Sequence, residues 1–182
     1  MRELALHLLD IAENSVSAKA DTIQITVEED HAADRLRMTV QDNGRGMDAD
    51  TAARVVDPFV TSRTTRKVGL GIPLLKAAAE ACKGGLYIQS EVGKGTCVTV
   101  DFQHSHIDRM PLGSLKETIL TLVVGSPEVH WIFQYTVDGQ TFLFDDQPVK
   151  EALEGVPLSD PAVLGYLRET LEAGIRDLNG NA

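Results

Sequence analysis

The chain is poor in cysteine: Cys82 and Cys97 alone among 182 residues, with no Cys-x-x-Cys spacing. They fall inside a predicted helix and a predicted strand, and they read as small buried hydrophobes of a reducing cytoplasm. A disulfide between them is the lesser reading. No apolar run reaches membrane-spanning length, and no secretory signal pattern opens the chain, so neither a membrane nor export is expected. Cations are also in deficit: 17 Lys and Arg stand against 27 Asp and Glu, a net charge of −10. That excludes a broad nucleic-acid or membrane surface and leaves room only for a local basic patch, such as Arg63, Arg66 and Lys67. What remains, 43% hydrophobic and 24% charged residues, fits one domain with a real core, or one domain plus an appendage.

Periodicity outlines the elements. Leu4, Ala5, Leu8, Leu9, Ala12 and Val16 recur at helical spacing, so residues 3–19 read as a helix. Asp10 and Asn14 sit one turn apart on its other side, where a carboxylate and a carboxamide can face a common cleft. Ile23, Ile25 and Val27, then Leu36, Met38 and Val40, alternate as a hairpin over residues 22–42. A short helix is predicted over 48–56 with Asp48 as its cap, and a second from Pro73 to Cys82, ended by Gly84-Gly85. Leu86–Ser90 and Cys97–Phe102 read as paired strands around Gly93-Lys94-Gly95-Thr96. His104-Ser105-His106 reads as exposed linker, since no further ligands support a metal. Beyond Met110-Pro111-Leu112-Gly113, residues 119–124 and 129–137 read as strands. Asp138-Gly139 signals a hairpin returning through Phe142–Phe144, and helices follow at 148–153 and after Asp160. Trp131, Phe133 and Tyr135 alternate as a core or docking face. No internal repeat is present, and nothing in residues 105–182 carries recognisable chemistry.

The chemistry sits in residues 10–71. Asp42-Asn43-Gly44 after an apolar strand is, by itself, a hairpin turn, and Gly69-Leu70-Gly71 before a helix is a common pair. Three-part order raises their meaning: Asp10-Ile-Ala-Glu-Asn14-Ser comes first, then Asp42-Asn-Gly44-Arg-Gly46-Met47, then Asp57-Pro-Phe59 and Val68-Gly69-Leu70-Gly71. Residues 60–67 form a polar, cationic loop that suits either a phosphate cover or a solvated segment.

Together these segments resemble the ATP-binding fold shared by DNA gyrase, the heat-shock chaperone of the ninety-kilodalton class, bacterial histidine kinases and mismatch-repair ATPases. The resemblance spans about residues 3–103. It implies an α+β, two-layer sandwich of the Bergerat type: helices on one face of a mixed, mostly antiparallel sheet. The domains expected are an ATP-binding unit at 1–104, a linker at 105–113 and a small α+β extension at 114–182 for docking or dimerisation. It implies Mg²⁺ on the Asn14 carboxamide, since a hard cation takes oxygen ligands. It implies adenine on Asp42 and close backbone approach at Gly44, Gly46 and Met47. Phosphates would lie against Arg63, Arg66, Lys67, Gly69, Leu70 and Gly71 at a helix N-terminus, with Thr96 supporting Asp42. Asp10 is the catalytic candidate.

This sequence departs from the family at several points. Asp10 stands where gyrase-like members carry Glu to orient water, and a shift of about 1 Å can cost roughly a hundredfold in rate. Ser17 stands where many histidine kinases carry Lys, with Lys19 as a substitute, and the lid is short. The strand and helix that usually precede the asparagine helix are expected to be missing, with residues 119–124 or their partner strand joining the sheet instead. Three functions compete. The first is a Mg-ATP-dependent, histidine kinase-like signalling module in the cytoplasm. It would phosphorylate or regulate a separate protein on His or, as in anti-sigma kinases, on Ser, because His7 lacks the acceptor context. The second is a slow ATPase or nucleotide-gated switch, and the third a scaffold retaining the fold. A homodimer would use the aromatic strand or the last helix. The C-terminal part also faintly resembles extensions on ATP-binding proteins encoded beside iron hydrogenase subunits.

Overall fold

A computed structural model describes residues 3–57 and 71–180. Its elements are α1 (Leu4–Ser17), β1 (Thr22–Asp30), β2 (Arg35–Asp42), α2 (Ala49–Val55), α3 (Gly71–Ala81), β3 (Gly85–Glu91), β4 (Gly95–Gln103), α4 (Leu115–Gly125), β5 (His130–Val137), β6 (Gln140–Asp145), α5 (Gln147–Ala152) and α6 (Pro161–Asn179). Six strands make one sheet in the order β3-β4-β2-β1-β5-β6. Every neighbouring pair is antiparallel except β1 and β5, which run parallel.

The alternation read from the sequence sets which face is buried. Ile88, Val98, Val40, Ile25, Phe133 and Phe144 oppose one another in turn and form one apolar row across all six strands. The adjacent row on the other face is Tyr87, Thr99, Thr39, Thr26, Gln134 and Leu143, largely polar, with Tyr87 and Leu143 exposed at its edges. A sheet with one apolar face needs one layer of cover. The helices supply it, α1 packing against both α3 and α4, and α4 against α6. Leu4, Leu8, Ile11, Ala12 and Ser15 form the buried stripe of α1. The first two N–H groups of α1, which no intrahelical carbonyl can take, donate to the carbonyls of Pro111 and Leu112 at 3.0 and 2.8 Å.

Residues 119–124 are not a strand. They lie inside α4, with Leu115, Thr118, Ile119, Leu122 and Val123 buried at three- and four-residue spacing. The β-branched run misled, while the signal that decides was present upstream: the Ser114 hydroxyl accepts from the Glu117 N–H at 3.2 Å, and Ser-x-x-Glu is a helix-start signature. The strand that flanks β1 is β5, in register from Thr22 with His130 to Glu29 with Val137. Residues 114–182 thus contribute two strands to the same sheet and share its core. The β5–β6 turn has Asp138 and Gly139 at φ +49° and +84°, the two positive values a two-residue hairpin of this type requires. Cys82 and Cys97 are free thiols.

Candidate functional site

The site grows from the C-terminal end of β2. Asp42 ends that strand and is 9% exposed. A buried carboxylate needs donors, and three surround it. The Ser15 hydroxyl donates to Oδ2 at 2.6 Å; the Gly44 N–H and the Thr96 N–H donate to Oδ1 at 2.9 and 3.3 Å. Three donors fill three of the roughly four acceptor positions of a carboxylate and leave one for a ligand.

The loop after β2 is shaped by contact with β3 and β4. Gly46 has φ +66°, and a Cβ there would run into the carbonyl of Glu91; Gly95, at φ +115°, lies equally tight against the carbonyl of Asp42. Only glycine satisfies both the dihedral and the approach. The Met47 N–H donates to the Ser90 hydroxyl at 2.8 Å, and that hydroxyl lies 2.8 Å from the Thr96 hydroxyl. The Asn43 carboxamide oxygen accepts the N–H groups of Asp21 and Thr22, both at 2.9 Å, so its role is to fasten the loop to β1.

Asp10 and Asn14 are exposed on α1, on the side away from its buried stripe. Gly71, the first residue of α3, is the link to the second glycine segment. A Cβ built on it would lie 3.5 Å from Asp10 Oδ2. The structure therefore brings together Asp10, Gly71, Asp42, Gly44, Gly46, Met47 and Thr96 along neighbouring elements. Thr96 acts on Asp42 through its backbone N–H, while its hydroxyl meets Ser90, which holds Met47. Arg63, Arg66, Lys67, Gly69 and Leu70 lie outside the described residues, as do Pro58 and Phe59. The Ser17 hydroxyl turns back to the Glu13 carbonyl at 2.9 Å, and Lys19 is exposed at the left-handed turn that ends α1.

Two site residues escaped the sequence. Ser15 sits beside Asn14 in the motif, and its place on the buried stripe of a helix was the available signal. Ser90 sits mid-pattern in a strand and carried none.

Comparison with known proteins bears on the same segments. Residues 1–106 match the family described as histidine kinase-, DNA gyrase B-, and HSP90-like ATPase. The sensor protein kinase FleS of Pseudomonas aeruginosa is 39% identical over 110 residues, covering 60% of this chain and 27% of that protein. A putative sensor protein of Shewanella frigidimarina is 32% identical over 97 residues, covering 52% of this chain and 15% of that protein. The chain thus spans under a third of the length of either relative. The N-terminal domain of a DNA repair protein, as a crystal structure, shares 14% identity and a TM-score of 0.53, covering 79% of this chain and 52% of that one, a likeness of fold alone. No helix among the described residues is long and apolar enough to cross a membrane. The chain belongs to the histidine kinase-, DNA gyrase B- and HSP90-like ATPase family, and its first 106 residues are a histidine kinase-like ATP-binding module.

Proposed function

We propose that this protein binds Mg-ATP at the end of β2 and works in the cytoplasm as a kinase-type module on a separate protein, phosphorylating it or controlling it. The observation that carries this reading is the Asp42 carboxylate, buried yet held by Ser15, Gly44 and Thr96 with one acceptor position to spare. A pre-organised acceptor of that kind selects an exocyclic amino group over a carbonyl, hence adenine over guanine. Gly44 and Gly46 let the backbone of the loop approach the base and ribose. Gly71 and its neighbours at the start of α3 supply N–H groups toward phosphate. Arg63, Arg66 and Lys67 would neutralise phosphate charge, and Gly69 and Leu70 would complete the phosphate loop.

The donor set on α1 suits magnesium. Asn14 and Asp10 offer a carboxamide oxygen and a carboxylate, one turn apart and exposed, and a hard cation takes oxygen ligands while keeping several waters. Asn14 would hold the ion, which supplies charge neutralisation of the phosphates when bound. Asp10 would orient the attacking group.

A second reading, an ATPase-driven switch, draws on the place of Asp10 against Gly71 at the start of α3. Phosphate release from γ-labelled Mg-ATP separates the two. Steady release that Asp10→Asn abolishes establishes a hydrolase. ATP bound and recovered intact by the chain alone, but converted to ADP with its label passing to a protein once an extract of the same cells is added, establishes the kinase. A chain that binds no adenine nucleotide overturns both.

A further inference from the structure

At the opposite end of the sheet, three segments distant in sequence meet. Glu29 lies near the end of β1, His31 in the β1–β2 turn, His104 just beyond β4, and Asp138 in the β5–β6 turn. Counted along β1, this end is about 23 Å from Thr22 and the Asp42 loop. His104, read from the sequence as exposed linker, is mostly buried: its side chain is 17% exposed and its Nε2 lies 2.6 Å from Glu29 Oε2. The His31 ring stands 4.6 Å from the His104 ring, centroid to centroid. One nitrogen of each imidazole and one oxygen of Glu29 all lie within 4.8 Å of one another.

We propose that Glu29, His31 and His104 form a binding site for a divalent transition-metal ion of the zinc class, with water as the fourth ligand. The geometry matches in three respects. Two imidazoles on one tetrahedral ion at about 2.0–2.1 Å have ring centroids about 5 Å apart, close to the separation seen. A carboxylate only accepts, so Asp138, 2.8 Å from His31 Nδ1, fixes the proton there and leaves Nε2 for the metal; the His31 N–H binds the same carboxylate at 2.9 Å. That carboxylate–histidine relay is the usual support of a metal-bound imidazole. Finally, Tyr135 donates to Glu29 Oε1 and orients the carboxylate, while Oε2 faces His104.

The binding step balances simply. His104 Nε2 carries the proton it shares with Glu29 Oε2. The ion takes that nitrogen and Glu29 Oε2 as ligands; the Nε2 proton passes to solvent and Nδ1 takes one up in its place, so the ring binds as its neutral tautomer. Tetrahedral ligands lie about 3.3 Å apart, so the pair opens by about 0.7 Å. An open cleft of about 390 Å³, lined by Glu28, Glu29, His31, Thr136 and Asp138, gives the ion and its water access. A second three-membered histidine–carboxylate group among the described residues, His130 with Asp145 and Asp146, differs. There the Lys150 ammonium already lies 2.6 Å from Asp146 Oδ2. The consequence is a clip: bound metal ties the β1–β2 turn and the exit of β4 to the β5–β6 hairpin of the appended segment.

The test uses the purified full chain, stripped with chelator, without nucleotide. Co²⁺ is titrated as the spectroscopic probe and displaced with Zn²⁺. One equivalent is expected, with tetrahedral ligand-field absorption, and a melting temperature raised by about 5–10 °C at a hundredfold excess over Kd. Asp138→Asn should weaken Zn²⁺ by about 10- to 100-fold, as lost supporting partners do. His31→Gln and His104→Gln should each weaken it at least as much, and His130→Gln should leave it unchanged. His31 lies in an exposed turn, so that variant decides the matter if His104→Gln fails to fold. Absence of stoichiometric binding by the folded chain, binding unaltered in His31→Gln, or binding lost in His130→Gln or Asn14→Ala would overturn the site.

Discussion

Replacing Asp42 by Asn separates recognition from folding. The amide keeps an oxygen for the Gly44 and Thr96 N–H groups, 2.9 and 3.3 Å away. Its NH₂ then faces the Ser15 hydroxyl, which can accept it and turn its own hydrogen toward the Ile11 carbonyl, 3.5 Å off. The internal loss is that of charge assistance, about 1 kcal/mol, or roughly 2–4 °C in melting temperature for a chain of this size. The nucleotide loses more. An amino group opposite the adenine amino group leaves two donors facing each other in a buried site, a cost of about 2–4 kcal/mol, or roughly 30- to 700-fold in Kd. Calorimetric titration with Mg-ATP and Mg-GTP, beside melting of the nucleotide-free protein, reads both quantities. A melting temperature near that of the wild type, with ATP affinity down more than about thirtyfold and the preference over GTP gone, is the expected result. ATP affinity within about threefold of the wild type would refute the assignment of adenine to Asp42.

Ser15→Ala should lower the denaturant midpoint by the equivalent of about 1–3 kcal/mol, because Ser15 is 4% exposed and its loss leaves Asp42 Oδ2 short of a donor; an unmoved midpoint would mean water replaces the hydroxyl at no cost. A chain ending at residue 104 should be molten or insoluble, read by dye binding and amide dispersion, since it strips β5 from β1 and α4 from α1; a soluble fragment with wild-type ATP affinity contradicts this. The Thr51 N–H, 2.7 Å away, holds the Asp48 carboxyl below its usual range, so the stability it adds is present above about pH 4 and lost as pH falls through the lower folded value. Melting of Asp48→Ala against pH should therefore show a deficit near neutrality that closes as pH falls below the ordinary carboxylate range.

Which parts of this protein could be read from its sequence follows from the range of the forces involved. Strand alternation over residues 22–42 and the Asp138-Gly139 turn are local, and both stand in the structure as read. The short helix expected over 48–56 is α2, Ala49–Val55, with Asp48 accepting from Thr51. The Asp42 loop was legible because its glycines answer a steric demand visible in residue type. Residues 119–124 were misread because β-branched residues fit a buried helix as well as a strand, and the Ser114 cap outweighed them. Ser90 and the Glu29–His31–His104 group were illegible for another reason. Their meaning comes from partners many residues away, which the register of β4 and β5 brings into contact.

The parallel pairing of β1 with β5 also has a kinetic side. β1 sits inside the sheet, yet only one of its neighbours, β2, comes from the next stretch of chain; the other arrives from the far half, after α4. Until it does, β1 presents an unpaired edge with Ile23, Ile25 and Val27 uncovered, the kind of edge that recruits other chains. Closing so long a loop before any contact rewards it slows the search. During synthesis the nucleotide-binding half therefore waits, sticky and unfinished, for its last strands, and its yield in the cell depends on how that interval is guarded.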